Sequence, residues 1–188
     1  MTISEQSTAD HLVVLRLTET GPEDFIKFWA SQYVDPREAL YDENIGKPLT
    51  PASVMALFEW KNGGKLSARK RLSVQEHYVP RIDKPLAGEV RGFLNSFGPS
   101  KGGAIWPIFW LHCCNQQFPI FDQHVYRAMI FIGHDQSDEL DKYSDKQKID
   151  LYLDGYIPFR LRFGRADRRT DQAFWMFGKF LKTKPNYL

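Results

Sequence analysis

The stretch from Gly98 to Met129, GPSKGGAIWPIFWLHCCNQQFPIFDQHVYRAM, constrains this chain more than any other. A glycine-rich turn, Gly98-Pro99-Ser100-Lys101-Gly102-Gly103, separates two helical patterns. The second pattern is strongly apolar and ends near Cys114. A polar loop then leads to Phe118-Pro119-Ile120-Phe121, and Asp122 opens a third helix that carries Arg127. Glycine permits positive φ and close backbone approach to a ligand. Backbone N–H groups at the following helix start suit phosphate, and such contacts hold a nucleic-acid backbone without reading its sequence. Asp122 occupies an N-cap position after an apolar run, where the helix dipole favours the ionised carboxylate. An ionised acid beside a bound phosphate backbone is placed to stabilise positive charge developing on a sugar.

This combination resembles the helix-hairpin-helix DNA glycosylase superfamily, the endonuclease III and MutY-like enzymes. There, a Leu-Pro-Gly-Val-Gly-like hairpin precedes an Asp that starts an Asp-Thr-His-Val-x-Arg-like helix. FPIFDQHVYR is similar to the second part, with Asp122, His124, Val125 and Arg127 in register, and Gly98 to Gly102 fall where the hairpin falls. DQAFWMFGKFLKTKP looks like the late helix of that family. Together the windows cover about a third of the chain.

The departures are informative. Ser100 and Lys101 replace a Gly and an apolar residue, Ala104 stands where bifunctional members carry a nucleophilic Lys, and the cluster-binding cysteines are absent. Schiff-base chemistry at Ala104 is therefore not expected. Two cysteines cannot hold a four-Cys iron–sulfur cluster, and no cofactor or metal is implied.

The resemblance implies an all-α protein: two helical lobes with a helix-hairpin-helix element and a cleft between them. One unit spans 1–188, with a hairpin and acid-helix core at about 86–133. The second lobe comprises about 11–50 plus 145–183. The implied activity is monofunctional base excision from double-stranded DNA. Asp122 is the catalytic acid, and Gly98, Pro99, Ser100, Lys101, Gly102 and Gly103 are the DNA-binding residues. His124 is read as structural and Arg127 as a tie to a neighbouring helix. A catalytically inactive DNA-binding module and a helical interaction protein with no nucleic-acid role are the competing readings. An Asp before a helix is, seen alone, an ordinary cap.

Net charge is only +2, so DNA affinity needs clustered charge. Two clusters exist: Lys65, Arg69, Lys70 and Arg71, and Arg160, Arg162, Arg165, Arg168 and Arg169. Each taken singly reads first as a solvated face. Adjacent Cys113 and Cys114 make a poor disulfide framework, which favours a reducing cytoplasm and buried structural thiols. His112 reads as a core histidine. Trp29, Trp60, Trp106 and Trp110 read as core before base-stacking platforms. Neither a signal peptide nor a membrane-length apolar run is evident, and a cytoplasmic monomer is the expectation.

Along the chain, 1–10 is polar, and His11–Leu17 is a strand or a helix turn. A helix is expected from Pro22 to about Val34, then a loop from Asp35 to Leu49. Thr50 and Pro51 form a cap and first-turn pair for a helix ending at Asn62-Gly63-Gly64. Further helices are expected over Ser67–Tyr78, Leu86–Phe97 and Lys146–Leu153, with a break or a kink at Pro158. Thr170 caps a final helix to Lys182. Pro107 predicts a late start or a distorted first turn for its helix.

Overall fold

The computed structural model describes residues 21–84, 88–98, 102–133, 135, 139–164 and 167–183. The His11–Leu17 segment and Pro99, Ser100 and Lys101 lie outside them. Every regular element among the described residues is helical: α1 (Pro22–Ser31), α2 (Glu38–Asp42), α3 (Pro51–Asn62), α4 (Ala68–His77), α5 (Val90–Asn95), α6 (Ile105–Cys114), α7 (Gln123–Ile132), α8 (Asp145–Asp150), α9 (Ile157–Leu161) and α10 (Arg168–Thr183). The all-α expectation holds.

The centre is α6, whose residues from Trp106 to Cys113 are all buried. One face, Ile108 and Leu111, joins a cluster with Phe121, Val125, Tyr152, Tyr156 and Phe174. The other, Trp106, Phe109, Trp110 and Cys113, packs with Val54, Leu57, Phe58, Val74 and Tyr78. A helix apolar all round must be enclosed, and the sequence IWPIFWLHCC leaves no polar stripe. Pro107 does not distort the start. It is the third helical residue, where a backbone N–H has no intrahelical partner in any case, so its ring costs no hydrogen bond.

Local signals set several other ends. Thr50 accepts from the Ser53 amide while the Ser53 hydroxyl accepts from the Thr50 amide, a reciprocal capping box. Gly63 closes α3 at φ +77°, and the Gly64 amide donates to the Glu59 carbonyl. The late helix begins earlier than its sequence suggests. Asp167, not Thr170, is the cap: its Oδ1 accepts from the Thr170 amide at 2.9 Å and hydroxyl at 2.7 Å. The 35–49 loop contains α2, and the helix expected from Leu86, which lies outside the described residues, is seen as α5 from Val90. Pro158 follows a π-helical turn, Leu151–Tyr156, so the chain passes a proline without a break.

Close approach of α10 to α7 depends on Gly178. A Cβ there would lie 1.8 Å from the His124 carbonyl oxygen. Arg127 also ties α7 to α10, donating to the Gly178 carbonyl at 3.3 Å, and it pairs with Glu139.

His112 sits in the core between Tyr41 and Phe118, as expected of a satisfied core histidine. Nδ1 is 2.7 Å from the Phe118 carbonyl, which only accepts, so Nδ1 carries the proton. Nε2 then accepts from the Tyr41 hydroxyl at 2.7 Å. Burial pushes the imidazole down to about 4, against the opposing Phe118 bond. The unfolded ring therefore binds a proton first, and stability present above about pH 6.5 is lost as pH falls through about 4. The full difference amounts to about 3 kcal/mol. Asp171 has the opposite slope, since burial raises its carboxyl to about 6. Comparing wild type with His112→Gln isolates the histidine: urea melts at pH 7 and pH 4.5 should show a smaller acid loss in the variant. Equal losses would mean His112 does not titrate in this window.

Cys113 is buried, but Cys114 is exposed, because it occupies the last turn of α6. The expectation of two buried thiols holds for one.

Candidate active site

Asp122 is the N-cap of α7. Its Oδ1 accepts from the His124 amide at 2.8 Å and the Val125 amide at 3.3 Å. The other oxygen faces Lys61, whose Nζ lies 3.0 Å from Oδ2 and also donates to the Phe121 carbonyl at 3.2 Å. The lysine side chain is 7% exposed and the aspartate 19%, so this is a largely enclosed pair. Burial alone raises the Asp122 carboxyl. The Lys61 ammonium, His124 and the amide donors outweigh it, and the net shift is downward. Asp122 is thus firmly ionised and a weak base.

The pair lies on the wall of a pocket of about 250 Å³. Its walls come from the segment between α1 and α2, the C-terminal turn of α3, the start of α7, and α10. Tyr33, Trp60 and Trp175 contribute rings; Arg37, Arg168 and Lys179 contribute cations. One wall is organised by Glu38. Its carboxylate accepts from Arg168 at 2.7 Å, the Tyr33 hydroxyl at 2.7 Å, the Trp60 indole at 3.1 Å and the Gln172 amide at 3.2 Å. Burial raises the Tyr33 hydroxyl, so it stays a donor. Asp171, also on the wall, pairs with Arg160 at 3.4 Å. Two acids of one pocket are therefore pushed apart, Asp122 downward and Asp171 upward to about 6.

Nothing local in the sequence marks Lys61, Glu38, Arg168, Asp171 or Trp175 as site residues. Trp60 lines the pocket, while Trp106 and Trp110 are core. His124 packs edge-on against Trp175 with ring centroids 5.1 Å apart, a structural contact.

The glycine turn lies between α5 and α6. Gly98, Gly102 and Gly103 all have positive φ, at 59°, 130° and 57°. A Cβ on Gly102 would lie 2.5 Å from the Trp106 ring, and one on Gly103 would lie 2.7 Å from Asp145 Oδ1. The Ala104 amide donates to Asp145 Oδ1 at 2.9 Å. That amide therefore faces a carboxylate, and a phosphate can reach it only if Asp145 withdraws. Replacing Gly103 would disturb Asp145 directly, so such a variant cannot report on phosphate contact alone.

No family model matches the chain, and no curated protein or solved structure matches it either. Among the described residues, no His, Cys, Asp or Glu group forms a metal-binding cluster, and no helix is long and apolar enough to cross a membrane.

Proposed function

We propose that the protein is a monofunctional DNA glycosylase that hydrolyses the N-glycosidic bond of a damaged or modified base in double-stranded DNA. The observation that carries this reading is Asp122: an ionised N-cap carboxylate on the wall of a ring-lined pocket. On this reading α5, the glycine turn and α6 act as a helix-hairpin-helix element, and the pocket is the cleft that receives the flipped nucleotide.

The chemistry follows from the acid's state. As the glycosidic bond breaks, its electron pair leaves with the base, and C1′ becomes an oxocarbenium-like cation. A carboxylate fixed by two backbone amides stabilises that cation without reorganising. Water then adds to C1′, and the proton it gives up passes through solvent to the departed base anion, leaving an abasic sugar and the free base. A depressed pKa makes Asp122 a poor proton acceptor, so its role is mainly electrostatic and orienting, as for the stabilising carboxylate in glycoside hydrolysis. Lys61 fixes the free oxygen of that carboxylate. Its charge also offsets part of the field at the sugar.

That offset supports the second reading, an inactive DNA-binding module. Capping and pairing already satisfy both oxygens of Asp122. The two readings separate on one experiment. Incubation with a panel of damaged and modified duplexes, followed by alkali, should reveal abasic sites for at least one lesion. DNA binding without base release across the panel would sink the enzyme and leave the module.

A further inference from the structure

The two basic clusters have opposite fates. In the later one, Arg160 is 3% exposed and paired with Asp171, and Arg168 is drawn in against Glu38. Two of its five cations are spent on internal ion pairs. The earlier cluster stays outside: Lys65, Arg69, Lys70 and Arg71 are all exposed.

Its charge is also more concentrated than the whole chain suggests. Residues 61–71 contain Lys61, Lys65, Arg69, Lys70 and Arg71 and no acid. Removing these five from the 25 Lys and Arg leaves 20 against 23 Asp and Glu, a net of −3. The chain's positive balance of +2 therefore comes entirely from this segment.

The segment is held by two caps, Gly63 ending α3 and Ser67 starting α4. Arg69 and Lys70 then fall in the first turn of α4, at the positive end of its dipole, which disfavours cations. Lys70 is steadied by Asn62 at 2.6 Å and Arg71 by Glu59 at 3.1 Å. Among the described residues, neither Lys65 nor Arg69 has an acidic partner. Cations kept at the unfavourable end of a helix, uncompensated from within, mark a surface shaped by something other than stability. Such a surface is complementary to a polyanion.

The position matters as much as the charge. Lys61 and Gly63, at the start of the segment, line the Asp122 pocket. The glycine turn at 98–103, by contrast, has a carboxylate on its Ala104 amide.

We infer that residues 61–71 form the main phosphate-binding surface of this protein, with Lys65, Arg69, Lys70 and Arg71 holding a nucleic-acid backbone beside the mouth of the Asp122 pocket. The inference rests on DNA as the substrate of that pocket. The contact is to phosphate alone, so it does not depend on which base is recognised or whether one is released. A membrane fits less well, because Leu72 is the one large apolar side chain exposed on α4 and supplies no inserting face.

The test is fluorescence anisotropy of the full chain with a short undamaged duplex, titrated between about 50 and about 200 mM salt. Lys65→Gln/Arg69→Gln should weaken binding at least about tenfold at low salt. It should also make the slope of log K against log salt shallower by about 2, the value for two lost phosphate contacts. Arg162→Gln/Arg169→Gln, in the other cluster, should change neither. Both positions of the first pair are exposed, so circular dichroism should be unchanged. Wild-type affinity and slope in Lys65→Gln/Arg69→Gln would overturn the inference. So would wild-type binding to phosphatidylserine vesicles with none to the duplex. Lost binding in that variant, with no base release by the wild type on any modified duplex, would support the surface and refute the catalytic reading of Asp122.

Discussion

Asp122→Asn should abolish base release, by about 10³-fold or more on any duplex the wild type processes. The amide keeps an oxygen for the His124 and Val125 amides but removes the charge that, on the proposed reading, stabilises the sugar cation. Capping alone would make this change cheap, at about 0.5–2 kcal/mol. The ion pair makes it dearer. Lys61 is 7% exposed, and losing its partner strands an ammonium inside the protein. Breaking such an enclosed pair typically costs about 3 kcal/mol or more. Asp122→Asn should therefore unfold at clearly lower urea concentration, and Asp122→Asn/Lys61→Met should regain much of that loss without regaining activity. Full excision by Asp122→Asn would remove this acid from the mechanism. Strand cleavage and borohydride trapping are not expected, because Ala104 offers no amine and Lys61 is engaged by Asp122. A trapped adduct mapping to Lys61 would overturn the hydrolytic step.

The second large effect is on folding. Gly178→Ala places a methyl carbon 1.8 Å from the His124 carbonyl oxygen, a backbone atom that cannot rotate away. Either α10 lifts from α7 or α7 shifts, and α7 carries the Asp122 cap. Overpacking at a rigid contact costs about 3 kcal/mol or more, which lowers the melting temperature by about 6–12 °C for a chain of this size. Since α10 also supplies Arg168 and Trp175 to the pocket, activity should fall faster than stability. A wild-type melting temperature in Gly178→Ala would mean the helices pack more loosely than described.

What could be read in advance was local. The Thr50-Pro51 start, the Gly63 stop and the Asp122 cap are written within three or four residues, and each is where the sequence places it. The strongly apolar pattern of α6 and its end near Cys114 are likewise local. What escaped was the partner across space. Lys61 looks like any lysine at a helix end; only the fold brings it 61 positions along the chain to Asp122. Glu38 lies in a segment with no helical pattern of its own, and its partner Arg168 stands in a run of arginines 130 positions later. The Asp145 carboxylate over the glycine turn was equally invisible, since nothing near Ala104 encodes it. The π-helical turn before Pro158 has no period of its own to detect.

The enclosed α6 has a kinetic corollary. Because its two faces belong to different clusters, neither cluster can open without exposing one side of the same helix. The protein should then behave as one cooperative unit, with no half that melts alone. Amide hydrogen exchange along Phe109–Leu111 should proceed only through global unfolding and track its free energy, while α1 and α5, which hold few fully buried residues, exchange through smaller openings.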